Sequence, residues 1–124
     1  MTNKQITKEK PLHEFDLEDR TSVFGEKVIK FAKLVSKNTV NISLISQLVR
    51  AGTSVGANYC EANESISKKE FQHRISICLK EAKETKYWIR MVVVAEPQLR
   101  DEAEKLWLEA KELHLIFAAI SRKA

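Results

Sequence analysis

The 124-residue chain is 44% apolar and 31% charged, which suits one globular domain with a sizeable core and leaves no room for a second. Its three glycines and two prolines leave stretches of 20 or more residues with neither, which excludes a turn-rich all-β chain and favours long helices. The formal net charge of +4 permits contact with nucleic acid without requiring it.

Residues 1–15 are polar and charged where a signal peptide needs an apolar core, and they are expected to form a flexible N-terminal arm. Residues 16–124 carry four helical patterns. In the first, Leu17, Thr21, Phe24, Val28, Phe31 and Val35 recur at alternating steps of four and three, with Asp16 as the expected N-cap. The second runs through Ile45, Leu48, Gly52, Val55, Tyr59 and Ala62 and is entered through Thr39 or Asn41 as a cap. Ser67 with Glu70 forms a capping-box signature for the third, which continues through Phe71, Ile75, Cys78, Ala82, Thr85, Ile89 and Val92. Pro97 suits the first turn of the fourth, whose seam is Leu99, Ala103, Leu106, Ala110, Leu113, Phe117 and Ile120.

Short connections between helices of about 30 to 40 Å force antiparallel neighbours. The expected architecture is all-α, a single-domain, antiparallel, up-down-up-down four-helix bundle. A single extended coiled coil is the rival, and the breaks at Asn38 to Asn41 and at Glu96-Pro97 argue for folding back.

The second helix holds only three charges between Thr39 and Glu64, namely Arg50, Glu61 and Glu64. Beside its seam, Ile42, Val49, Thr53, Gly56 and Cys60 form a second weakly polar strip, as if the helix were buried on two sides. Leu108 and Leu115 lie one heptad apart and nearly opposite the seam of the fourth helix. Together with Gly52 these residues form the expected interface of a homo-oligomer. The alternative is a deeply sunk second helix with scattered surface leucines.

The glycines of the run from Ala51 to Asn58 fall at i and i+4, without the Gly-Lys-Ser/Thr ending of a phosphate loop, so they point to close helix packing. Cys60 and Cys78 belong to no CxxC motif and are expected as reduced core residues of a cytoplasmic protein. His13, His73 and His114 match no metal-ligand spacing, and no nucleophile, base and oxyanion set can be assembled. No metal, no cofactor and no enzymatic activity are expected. Glu81 is expected to pair with Arg50 or Arg74. Met91 to Ala95 is too short to cross a membrane.

The remaining chemical signal is basic. From Ser67 to Val94 there are seven Lys/Arg against three Asp/Glu, whereas Pro97 to Lys123 balances five against five. Lys69, Lys80, Lys83 and Arg90 project from one flank of the third helix, and Lys86 lies nearer the seam. Such a stripe fits a phosphate backbone. Lys30, Lys33 and Lys37 form a second cluster at the end of the first helix, where they also complement the helix dipole. An oligomer would repeat each stripe once per subunit.

The run Gln47-Leu-Val-Arg-Ala-Gly-Thr-Ser-Val-Gly-Ala-Asn58, followed by Glu61-Ala62, resembles the four-helix-bundle proteins encoded in intervening sequences of bacterial large-subunit ribosomal RNA genes. These in turn are related to the accessory variability proteins of diversity-generating retroelements. The likeness continues through Phe15-Asp-Leu-Glu-Asp-Arg-Thr21, Phe71, Leu79-Lys-Glu-Ala-Lys-Glu-Thr85 and Tyr87-Trp88. It implies a homo-oligomer, typically a pentameric ring, and binding to nucleic acid, RNA or DNA. A second function it implies is a protein-interaction scaffold for a reverse transcriptase or ribonucleoprotein, in which the apolar strips and Trp88 or Trp107 matter more than the lysines.

Overall fold

The computed structural model describes residues 16–123. The expected N-terminal arm, residues 1–15, lies outside the described residues. Four helices follow one another: α1 (Leu17–Ala32), α2 (Thr39–Asn63), α3 (Lys68–Ala95) and, after a 3₁₀ turn at Pro97–Leu99, α4 (Arg100–Lys123). Each helix packs on its neighbours in chain order, α4 closes back onto α1 more thinly, and the diagonal pairs barely meet. The described chain is an all-helical bundle without strands.

Local chemistry sets the helix starts. Asp16 accepts from the Asp19 amide, and Ser67 accepts from the Glu70 amide at 3.1 Å. Glu70 reaches back to the amide of Ile66, one residue earlier than a capping box requires. At α2 the cap is neither Thr39 nor Asn41. Asn38 holds the extended backbone a cap requires, and its side chain accepts from the Asn41 amide at 2.9 Å.

Asn41 instead works between loops. Its buried amide donates to the Ser36 carbonyl and to the Glu96 carboxylate, both at 2.8 Å, and Gln98 donates to the same carboxylate. This clip ties the α1–α2 connection to the α3–α4 turn at one end of the bundle. Pro97 lies in the 3₁₀ turn, with the α-helix beginning three residues later.

The seams converge on one core, in which Phe24, Val28, Leu48, Val55, Ile75, Ile89, Leu113 and Phe117 are sealed from solvent. Burial of each such side chain contributes roughly 1.5 to 3 kcal/mol. Tyr59 and Phe117 meet with ring centroids 5.7 Å apart. Thr21 and Thr85 occupy seam positions, where their buried hydroxyls donate to the Leu17 and Glu81 carbonyls one turn earlier. The regular helix α1 ends at Ala32, yet Val35 still reaches the core through a tight turn.

The α1–α2 contact uses all three glycines. A Cβ on Gly52 would lie 2.7 Å from both methyls of Val28, and one on Gly56 would meet the Thr21 backbone at 3.2 Å. Gly25 faces the Thr53 backbone at 3.6 Å from the other side. Val28 is sealed and stiff at χ1, so it cannot swing aside. Gly52→Ala is therefore expected to destabilise the protein by about 1 to 2 kcal/mol despite the better helix propensity of alanine. Urea unfolding of Gly52→Ala, Val28→Ala and the pair checks this, with the double variant less destabilised than the two single losses added together.

Candidate nucleic-acid interface

The stripe on α3 is positioned by how the acidic residues of the same helix are used. Arg50 of α2 reaches across to two of the three: Nη1 donates to Glu81 at 3.2 Å and Nη2 to Glu84 at 2.7 Å. Burial works against the guanidinium charge, and the two carboxylates more than compensate, so its pKa is raised. Of the two partners expected for Glu81, the structure selects Arg50, while Arg74 donates to Asn58 at 3.0 Å. Glu81 and Glu84 are thus tied to α2, while Lys69, Lys80, Lys83 and Arg90 are exposed along about 30 Å of helix. Lys80 and Lys83 border a shallow groove of about 260 Å³, with Glu84 on its edge.

Lys86 departs from the stripe. It is half-buried and leans onto α4, where its ammonium donates to His114 Nδ1 at 2.9 Å and lies 5.6 Å from the Trp107 ring centroid. Lys111 approaches the same indole at 5.9 Å. Among the described residues no carboxylate forms an ion pair with Lys83, Lys86 or Lys111. The electrostatic consequence is visible on both titrating groups. Burial, then Lys111 and Lys83, lowers the Lys86 pKa; burial, then Lys86 and Lys83, lowers that of His114. A His114 ring that accepts at Nδ1 is neutral, with its proton on Nε2.

Sequence reasoning did not place Lys111, Arg100 or His114 in this surface. Reflecting the chain about the Glu96-Pro97 turn brings Lys86 abreast of positions 107 to 114 and so would have found Lys111 and His114. The two basic clusters do not merge on one chain, because α1 and α3 sit at diagonal corners. Lys30 is in the last turn of α1 and Lys33 caps it, but Lys37 lies in the connection beyond the helix end, away from the expected dipole position.

The expected oligomer contact is altered by the fold. Gly52 and Gly56 are buried beneath α1 of the same chain, and Thr53 abuts Gly25. Cys60 is half-buried, with its thiol directed at Glu18 at 3.9 Å. The glycine part of the α2 strip is therefore taken up within the subunit and is not open to a second copy. Val49 is half-buried, and Ile42, Leu108 and Leu115 are exposed. Val94, Val40, Leu34 and Tyr87 are exposed apolar positions outside the expected set.

Neither thiol has the surroundings of a nucleophile: burial pushes Cys78 up to about 12 and also raises Cys60, whose neighbour is Glu18. Among the described residues no three His, Cys, Asp or Glu side chains gather as a metal site, and no helix is long and apolar enough to cross a membrane.

Fold and surface together define a small, basic four-helix bundle. The chain belongs to the 23S rRNA-intervening sequence protein family, whose model matches residues 14–119. A solved structure from Bacteroides thetaiotaomicron, described as a protein with unknown function from the S23 ribosomal protein family, shares 30% identity. It superposes with a TM-score of 0.74, covering 84% of this chain and 96% of that one. No curated protein matches the chain.

The lowered His114 pKa has a defined sign. The unfolded chain protonates this ring more readily, so the full contribution to stability is present above the usual histidine pKa of about 6.5 and is lost as pH falls through it. The thermal midpoint is expected to drop on acidification from about pH 7.5 to about pH 5, and to drop less in His114→Gln. Melts at matched ionic strength check the difference.

Proposed function

We propose that this chain is a non-enzymatic protein that binds nucleic acid, RNA in particular, through the basic side of α3, and that it works as a homo-oligomer. Lys69, Lys80, Lys83, Lys86 and Arg90 make the phosphate contacts. The observation that carries this reading is the group of Lys83, Lys86 and Lys111, which has no carboxylate ion-pair partner among the described residues; burial first, then repulsion from Lys111 and Lys83, lowers the Lys86 pKa. An anion relieves that repulsion. The family's connection with ribosomal RNA intervening sequences agrees with it. Nothing in the stripe offers a base-reading pattern, so selectivity among sequences is low.

Five contacts to a single strand predict a roughly 100-fold loss of affinity between about 50 and about 200 mM salt. Lys80→Glu and Lys83→Glu should each weaken binding across all sequences and flatten the salt slope. Fluorescence anisotropy with mixed-sequence RNA measures both, and salt-insensitive binding would overturn the proposal.

Assembly rests on exposed apolar side chains, with Leu108, Leu115 and Ile42 about half exposed on single-chain surfaces. The family resemblance supports a pentamer, five times 14.2 kDa or about 71 kDa. Light scattering is expected to give that mass, and Leu108→Glu with Leu115→Glu to lower it while helicity is retained. A folded monomer at high concentration contradicts it.

The same exposed residues, with Val94 at 76% and Tyr87 at 52%, favour a second reading as a scaffold for a reverse transcriptase or ribonucleoprotein. A pull-down that survives lysine reversal but fails after Leu108 and Leu115 are changed would select it.

A further inference from the structure

We propose that the Trp107 groove between α3 and α4 is the seat of an unpaired nucleotide, so that the ligand class of this surface is single-stranded rather than duplex RNA. The inference rests on the nucleic-acid reading above and deepens it. Beside the end of α3 an open groove of about 420 Å³ is lined by Ile89 and Ala103, which are buried, by Val93, Val94 and Trp107, and by Arg90, Arg100 and Glu104. Its volume falls within the range of sites that enclose small ligands.

Trp107 stands at a boundary. One part of the indole lines this groove, while the ammonium groups of Lys86 and Lys111 lie 5.6 and 5.9 Å from its ring centroid. A half-buried aromatic platform, an apolar slot and cations on both sides match the two chemistries of an unpaired nucleotide, a π-face and its flanking phosphates. The base lies against Trp107, Val93 and Val94. One phosphate meets Arg90 and Arg100, and the next draws Lys86 and Lys111 off the indole. Glu104 lines the same groove, where the two guanidinium groups outnumber it. A duplex keeps its base faces stacked inside, so it uses the lysine stripe and leaves the groove empty.

The test uses the full-length protein at low salt with two probes of equal phosphate number: an oligouridylate of about 12 nucleotides and a blunt-ended, fully paired RNA duplex. Trp107→Ala should weaken the oligouridylate about 10-fold and the duplex less than about 2-fold, with Trp107→Phe keeping most of the affinity. Saturating oligouridylate should also quench indole emission of the native protein. Trp107→Phe, which leaves only Trp88 to emit, should lose that quenching, a readout that stands even if the alanine variant fails to fold.

Equal losses for both probes, no loss for either, or no quenching would overturn the groove assignment while salt-dependent binding remained intact. Failure of the native protein to bind either RNA would instead remove the function reading and this inference together. Quenching by an apolar peptide but not by oligouridylate would place a protein partner in the groove and overturn the nucleotide.

Discussion

The close approach of α1 and α2 governs where every other surface of this protein ends up. Three glycines remove the side chains that would hold the helices apart, and Val28 fills the space against Gly52. Two glycines inside α2 cost about 1 kcal/mol each relative to alanine. Complete burial of Val28 and Phe24 on the facing helix offsets that with roughly 1.5 to 3 kcal/mol apiece. Because α1 lies so close to α2, its contact with α4 is thinner and leans on a two-pronged pair, Arg20 to Glu109 at 2.7 and 2.9 Å. A groove of about 360 Å³ remains there, lined by Lys27, Lys30, Lys105 and the carboxylates of Glu102 and Glu109, the second of which is already paired with Arg20.

On the α3 side Arg50, the single cation of α2, is committed to Glu81 and Glu84. The basic excess that α3 already has in sequence is thereby accentuated: Glu81 is buried against α2, Glu84 is held by the same guanidinium, and the ammonium groups face outward and toward α4. Lys86 then shares Trp107 with Lys111 and donates to a neutral His114. Glu84 and Glu104 lie among these cations, yet the cations outnumber them in both grooves.

The run from Gln47 to Asn58, which carries much of the resemblance to the 23S rRNA-intervening sequence proteins, is the run that seats α2 on α1. Its small residues are a packing requirement. A relative at 30% identity retains the fold over most of both chains. What the motif transmits is therefore the geometry of the bundle, and the basic groove on α3 and α4 is a feature to be judged from this chain's own residues.

Period and capping chemistry are local properties, and the sequence alone determined the helical seams and two of the caps, while it put the α2 cap on Thr39 or Asn41 instead of Asn38. Every seam position of α1 is buried, the α3 and α4 seams are buried or half-buried throughout, and Asp16 and Ser67 cap the helices they precede. The Glu81–Arg50 pair was legible as one of two alternatives, because a carboxylate at a seam edge requires a cation. Pairwise choices across helices were not legible. A helical wheel shows that α2 has a second uncharged strip, but whether another copy or a neighbouring helix covers it depends on the distance between helix axes, which put Gly56 and Thr53 under α1. Likewise, Lys86, Trp107, Lys111 and His114 are scattered over 28 residues. Only the antiparallel fold about Glu96-Pro97 brings their charges within interaction range, since Coulomb forces and ring contacts depend on separation in space and take no account of separation along the chain.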